Sequence, residues 1–275
     1  MIKDITIGQY YKADSALHKC DPRTKLLLTV AFIIVIFLCK NFYSLGLMAM
    51  LTFASMLVSK VPVKMFLKSI KPIVPLVLFT AVLNIFYTTG GEVLVSFWKI
   101  TITYKSVFTA IFIAIRIICL IIISSLLTYT TTPTMLTDGI EKLLKPLDFI
   151  LKPFNFRVHT LAMMMTLALR FIPTLIEEID KIMNAQKARG ADLESGGIMQ
   201  RAKALIPIII PLFVSSFRRA YELAFAMDCR CYTGGDGRTR MKQMKFKTCD
   251  LVVGVISVAA FAGIIFLNIN FVSVI

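Results

Sequence analysis

Two arginines, Arg189 and Arg230, each lie between two small residues at the end of a long helical pattern. The flanking residues are Ala188 and Gly190 for the first arginine, and Cys229 and Cys231 for the second. Small neighbours leave a guanidinium free to enter a pocket on another protein. Because a planar guanidinium forms paired hydrogen bonds with a carboxylate, the chemistry we expect is protein docking rather than catalysis.

A simpler explanation is that a cation at a helix C-terminus is stabilised by the helix dipole, by about 0.3–1 kcal/mol. Two further features favour docking. Both arginines end helical patterns of roughly 30 residues, which is about 45 Å of helix. Both are followed by glycine-rich segments, at residues 196–197 and 234–237, which would not obstruct a partner. We therefore predict that these two helix ends contact a soluble partner.

The composition is that of a polytopic membrane protein. Of the 275 residues 57% are hydrophobic, the mean hydropathy is +0.77, and charged residues make up 17%. We expect an all-α fold in the cell membrane. The net charge of +15 does not indicate nucleic acid, because membrane proteins retain lysine and arginine on their cytoplasmic side.

Apolar runs predict about five membrane-spanning helices, at residues 26–39, 42–59, 73–89, 106–129 and 251–271. The first run is shorter than the ~20 residues of a perpendicular span, so it is either a short span or half of a shallow hairpin. Lysines 60, 64, 68 and 71, with no acidic residue among them, place the loop before the third run in the cytoplasm. Counting back two crossings places the N-terminus in the cytoplasm as well.

Charged and polar residues interrupt the apolar runs in the region between the fourth and fifth spans. This region is predicted to contain three helices, at residues 133–151, 159–189 and 198–230. Thr132 and Pro133 have the sequence of an N-cap and a first-turn proline. The two long patterns have short apolar first halves that contain proline, so we expect poor spanning helices that cross beneath the bilayer. The predicted domains are 1–132 (first four spans), 133–247 (cytoplasmic coupling helices) and 248–275 (last span).

The sequence lacks the motifs of an enzyme or of an ion-coupled carrier. The sequence contains no GxxxxGK[ST] phosphate loop, no HExxH and no GxSxG, so we expect neither ATP hydrolysis nor another catalytic activity. The spans contain almost no acidic residues, which argues against an ion-coupled carrier. Arg116 lies inside the fourth span, where it either contacts a substrate or partner or simply faces the helix bundle. His18 and His159 lack a second ligand at metal spacing, so no metal site is expected.

Several separated motifs resemble the transmembrane (T) component of energy-coupling factor transporters. They read NAQKARGAD at 184–192, AMDCRCY at 226–232, GRTR at 237–240, DPRTK at 21–25, TPT at 132–134 and LRFIPT at 169–174. They occur in the right order and cover essentially the whole chain. One departure concerns Arg230, because the family's second motif usually reads Ala-Arg-Gly and here cysteines flank the arginine.

The resemblance implies a subunit of an ABC-type vitamin-uptake complex. Two cytoplasmic ATPases would bind ATP and accept Arg189 and Arg230 in a groove on each. An exchangeable membrane S component would capture the substrate and rest against the long helices. This chain would then be a non-catalytic coupler that binds no cofactor. Alternatives are the T component of a dedicated cobalt or nickel uptake system and, in another class, a stand-alone secondary carrier or pore; a membrane enzyme is a third.

Overall fold

The computed structural model describes residues 9–87, 93–97, 100–147, 158–191, 197–234 and 246–270. In chain order the helices are α1 (Ala16–Lys19), α2 (Pro22–Leu38), α3 (Phe42–Ser59), α4 (Val63–Ile70), α5 (Val74–Tyr87), α6 (Tyr104–Thr130), α7 (Pro133–Leu144), α8 (Val158–Ala188), α9 (Ile198–Cys229) and α10 (Thr248–Asn270). Short 3-10 turns, Lys71–Ile73 and Lys145–Leu147, follow α4 and α7. Two short antiparallel strands, β1 (Val93–Phe97) and β2 (Ile100–Thr103), precede α6. This hairpin was not predicted; Trp98 and Lys99, which the sequence places in an interfacial loop, lie outside the described residues.

The predicted all-α polytopic membrane fold is confirmed. Within the described residues, six helical stretches are long and apolar enough to cross a membrane: Phe42–Ser59, Val63–Phe86, Tyr104–Thr130, Val158–Ala188, Lys203–Cys229 and Thr248–Asn270. Two of them belong to the helices that we expected to be poor spans. That expectation is wrong in length and apolar content, because both helices run unbroken through their prolines and each contains a window apolar enough to span. Their placement beneath the bilayer stays a prediction. Helix α2, with 17 residues, remains the short first run.

The chain forms two compact units. One comprises Gly8–Gly139 and Gln243–Ile275, and the other comprises the described part of Ile140–Lys242. The predicted domain limits at residues 133 and 247 separate membrane spans from a cytoplasmic region. They stay predictions, as does the placement of the N-terminus in the cytoplasm.

Helices α2, α3, α6 and α10 pack around the core of the first unit. Ile36, Leu45, Met48, Phe112 and Ile264 are at most 1% exposed there. Because lipid is as apolar as these side chains, such a bundle is held by close packing rather than by exclusion of water. Buried polar groups lie near both ends of α2, with Lys25 in its first turn and Asn41 just beyond its last residue.

Polar contacts order the start of α2. The Asp21 side chain caps the helix by accepting from the Arg23 amide at 3.0 Å, and the Asp250 carboxylate accepts from the Asp21 amide at 2.7 Å. Lys25 is 8% exposed and donates to the carbonyls of His18 and Thr130, at 3.2 and 2.9 Å. From the sequence alone, Arg23 and Lys25 are predicted to anchor the first apolar run at the lipid headgroups. For Lys25 that prediction is wrong, because its ammonium is turned inward to carbonyls at the ends of two other segments.

Arg116 faces the bundle. Its guanidinium donates to the carbonyl of Cys39, the C-cap residue of α2, and lies 4.7 Å from the centre of the Phe112 ring. Because the last carbonyls of a helix lack partners within the helix and carry partial negative charge, a cation there is stabilised. Of the two interpretations of Arg116, the structure therefore supports the bundle-facing one.

The lysine-rich stretch before the third span is helical rather than a loop. Helix α4 places Lys64 and Lys68 one turn apart, on one face, while Phe66 is 1% exposed on another. The four-residue spacing of lysines 60, 64 and 68 was the signal that could have predicted this helix.

Candidate partner-docking helix ends

The end of α8 is closed by two hydrogen bonds of the Schellman type. The Gly190 amide donates to the carbonyl of Lys187, and the Ala191 amide donates to that of Gln186, both at 3.0 Å. Gly190 has a φ of +85°, the left-handed conformation that this motif requires of the residue after the cap. Arg189 is therefore the capping residue itself, and the chain turns away from the helix directly after it.

The end of α9 repeats the same arrangement residue for residue. The Cys231 amide donates to the carbonyl of Asp228 at 2.9 Å, and the Tyr232 amide donates to that of Met227 at 3.1 Å. Cys231 has a φ of +51°, although it is not glycine. Its Cβ makes that conformation unfavourable by roughly 1–2 kcal/mol, so the motif is kept here at a cost in strain. Arg230 occupies the position that Arg189 has in α8.

Both arginines are exposed, as are the small residues on either side of them. In the part of the chain that is described, neither guanidinium forms an ion pair. Each therefore retains its hydrogen-bond donors for a partner. The structure does not bring the six predicted site residues into one site; it presents them at two separate helix ends that are closed by the same hydrogen-bond motif.

Contacts between α8 and α9 set the distance between the two ends. Gln186 Nε2 donates to the carbonyl of Pro207 at 3.2 Å, Arg219 pairs with Glu178, and the Tyr232 hydroxyl contacts Met163 Sδ at 2.8 Å. Positions late in α8 thus meet positions early in α9, so the two helices are antiparallel. At 1.5 Å per residue, Arg189 and Arg230 are on the order of 35 Å apart.

An ion pair joins α8 and α9 near their middle. Arg219 donates to a Glu178 carboxylate oxygen at 2.7 Å, and Ser215 donates to the other at 3.4 Å. The side chains are 34% and 23% exposed, so the pair is worth at most about 1 kcal/mol and serves mainly to set the helix register. Sequence reasoning missed Glu178; the signal available was an acidic residue on a long, largely apolar helix.

The two histidines have structural partners. His159 Nδ1 lies 3.0 Å from Glu141, which ties the start of α8 to the end of α7. His18 Nε2 donates to the carbonyl of Tyr11 at 2.9 Å, so its Nδ1 accepts from the Ser15 hydroxyl at 2.7 Å. Burial lowers the pKa of His18, which favours this neutral ring. Within the described ranges no group of three or more potential ligands could hold a metal ion.

The cysteines differ in their surroundings. Cys229 and Cys231 are exposed, whereas Cys20 is buried with its Sγ 3.4 Å from that of Cys249. Burial raises the pKa of Cys20 to about 12, because a thiolate there would lose its hydration. All six cysteines are free thiols.

The helices define a polytopic α-helical membrane protein with two exposed, arginine-bearing helix ends. A family model described as CbiQ, cobalt transport protein, matches residues 13–242. The chain is 55% identical to the energy-coupling factor transporter transmembrane protein EcfT of Clostridium kluyveri, over 92% of each protein. It is 51% identical to the protein of that name from Ruminiclostridium cellulolyticum, over 98% of each, and 42% identical to that from Bacillus subtilis, over 94% of this chain and 97% of the relative.

The chain therefore belongs to the family of energy-coupling factor transporter transmembrane proteins, as its motifs predicted. It is a membrane component of a transport system.

Proposed function

We propose that this chain is the non-catalytic coupling subunit of an energy-coupling factor transporter. It transmits ATP-driven motion of two cytoplasmic ATPases to an S component that binds a vitamin or another micronutrient. The observation that carries this proposal is the repeated helix end: two Schellman motifs of the same geometry each present an exposed arginine. Two equal docking elements suit two similar partner subunits, and ATP is bound by those subunits rather than by this chain.

An exposed apolar face on α9 supports the second contact, with the S component. Ile206, Ile210, Phe213 and Phe217 are 50–62% exposed and recur every three or four residues. They therefore form one stripe along the helix. The Phe213 and Phe217 rings lie 4.7 Å apart, which makes a continuous aromatic patch. A contiguous apolar surface of this kind fits another membrane protein, and the docking arginine Arg230 lies on the same helix.

Motion would pass from the docking ends to this stripe through the helices themselves. A shift of one ATPase moves a helix end, and the Glu178–Arg219 contact relates the two helices to each other. The stripe on α9 then changes its position relative to the bilayer, and so does an S component that rests on it. This chain's part in transport is mechanical, since its residues position the partners and change none of them chemically.

The test is charge reversal of the docking arginines. Arg189→Glu together with Arg230→Glu should abolish co-purification of the ATPases in mild detergent. Reversing one partner of a buried charge pair costs about 3–5 kcal/mol, which is at least a hundredfold in affinity. The matched control is Lys181→Glu, the same charge change at an exposed position in the interior of α8. ATPases that remained bound to the double variant at wild-type stoichiometry would refute the docking assignment.

A dedicated cobalt or nickel system is the second candidate, because the matching family model is described by cobalt transport. Mass spectrometry of the proteins bound to wild type separates the two proposals. One constant small membrane protein together with metal-dependent uptake indicates a dedicated system, and several exchangeable S components indicate a shared vitamin module. Flux of substrate through the purified chain alone in liposomes would instead favour a stand-alone carrier or pore.

A further inference from the structure

An elongated groove, here called the lateral groove, runs between α2, α3, α6 and α10, with α1 at one end. Its volume is about 370 Å³. Along α2 it extends from Thr24 to Phe32, and along α10 from Cys249 to Ser257. Eight residues of helix are about 12 Å long. The lateral groove is therefore a narrow slot parallel to the helices, and it begins at the end where α2 and α10 start.

The walls of the lateral groove offer almost no hydrogen-bonding groups. Of the five hydroxyl residues that line it, all but Thr24 donate at 2.8 Å to a carbonyl three or four residues earlier in their own helix: Thr29, Ser55, Thr130 and Ser257. A water molecule needs two to four polar partners to stay in a cavity, so the slot is unsuited to water. For comparison, an engineered apolar cavity of about 150 Å³ in another protein binds benzene. The lateral groove is more than twice as large and suits a larger apolar group.

The shape of the slot favours a hydrocarbon chain over a protein helix. Val58 on α3 and Ile256 on α10 line it and are 50% and 57% exposed, so it opens to the side between two candidate spans. That side faces acyl chains in a bilayer. A volume of 370 Å³ over about 12 Å gives a mean cross-section of about 31 Å², whereas a helix with its side chains is 10–12 Å across. An acyl chain fits this space, and a helix does not.

Polar groups gather at the end where α2 and α10 begin. Thr24 lines the groove there, and its buried hydroxyl has no hydrogen-bond partner among the described residues, so an ester carbonyl that reached it would supply the missing acceptor. The Lys25 ammonium has two carbonyl acceptors for its three N–H donors. Lys247 is exposed two residues before Cys249, which lines the slot. Asp21 and Asp250 are buried, and the exposed Asp14 lies 3.8 Å from the Lys19 ammonium, so the remaining charge that faces solvent near this end is positive.

We propose that the lateral groove binds one acyl chain of an anionic membrane phospholipid, with the ester groups near Thr24 and the headgroup near Lys247. The lipid would fill the space between α2 and α10 and keep the bundle closed on that side. The hydrophobic wall determines that a chain binds, and the cationic end selects an anionic headgroup over a zwitterionic one.

The test counts lipids retained by the full chain after exchange into detergent that contains equal amounts of phosphatidylglycerol and phosphatidylcholine, by native mass spectrometry. Wild type should retain one phosphatidylglycerol. Val58→Trp with Ile256→Trp, which narrows the opening from both walls, should reduce its occupancy at least tenfold. The matched control is Leu57→Trp with Val255→Trp; both residues are 59–60% exposed and adjacent in sequence but outside the groove, and this variant should retain the lipid.

A second pair of variants tests the headgroup. Lys247→Glu should remove the preference for phosphatidylglycerol, whereas Lys40→Glu, the same change beyond the opposite end of α2, should not. Equal lipid retention by the groove variant and its control would overturn the proposal, and so would equal retention of the two lipids by wild type. A photoreactive residue at Ile256 that cross-linked to a partner protein rather than to lipid would also overturn it.

Discussion

Exchanging the residues that follow Arg189 and Arg230 gives the sharpest test of the helix-end geometry. Cys231 has a φ of +51° and Gly190 a φ of +85°, in otherwise matching motifs. A left-handed conformation costs a non-glycine residue about 1–2 kcal/mol, and glycine gives back about 0.5–1 kcal/mol through its greater freedom when unfolded. Cys231→Gly should therefore stabilise the end of α9 by about 1 kcal/mol, and Gly190→Cys should destabilise the end of α8 by a similar amount.

Amide hydrogen exchange measures both effects at the residues that close the motifs. About 1 kcal/mol corresponds to a roughly fivefold change in opening equilibrium. Exchange at Tyr232 should slow by that factor in Cys231→Gly, and exchange at Ala191 should accelerate by it in Gly190→Cys. Cys229→Ala is the control, because it removes a neighbouring thiol without changing a left-handed residue. Unchanged or faster exchange at Tyr232 in Cys231→Gly would refute the strain argument.

Two further predictions concern the helix pair and the thiols. Arg219→Glu should lower the stability of the α8–α9 pair by about 1 kcal/mol, because it places two acidic side chains together, and adding Glu178→Arg should restore most of the loss. Thermal melts of wild type, the two single variants and the double variant measure this; a double variant that was the least stable of the four would contradict the prediction. N-ethylmaleimide at pH 8 should modify Cys229 long before Cys20, since a pKa of about 12 instead of 9.0 leaves about a thousandfold less thiolate; peptide mass spectrometry that found equal rates would show that Cys20 is not buried.

The sequence was sufficient to predict elements whose signals are local. The pattern at 106–129 became α6, and the long patterns ending at Arg189 and Arg230 became α8 and α9, each within two residues. Thr132 accepts from the Met135 amide at 3.3 Å, which confirms the predicted cap before Pro133. Hydropathy and capping residues act over one or two turns, so they can be read without knowledge of the fold.

Features that depend on residues far apart in sequence could not be predicted in the same way. Lys25 looked like a headgroup anchor, because nothing near it in sequence shows that the carbonyl of Thr130 lies within hydrogen-bond distance. The role of Arg116 stayed open for the same reason, since its acceptor is the end of another helix. The repeated helix end was foreseen as a pattern, but the left-handed conformation of Cys231 was not, because cysteine is not a residue that favours it.

The Glu178–Arg219 contact lies at the same distance from the C-terminal ends of α8 and α9. Arg189 lies eleven residues beyond Glu178, and Arg230 lies eleven residues beyond Arg219, so each lever arm is about 16 Å long. If the helices pivot at this contact, a rotation of about 10° swings each tip by about 3 Å, roughly two residues of helical rise. Because the two arms are equal in length, equal displacements of Arg189 and Arg230 would rotate the two helices by equal angles.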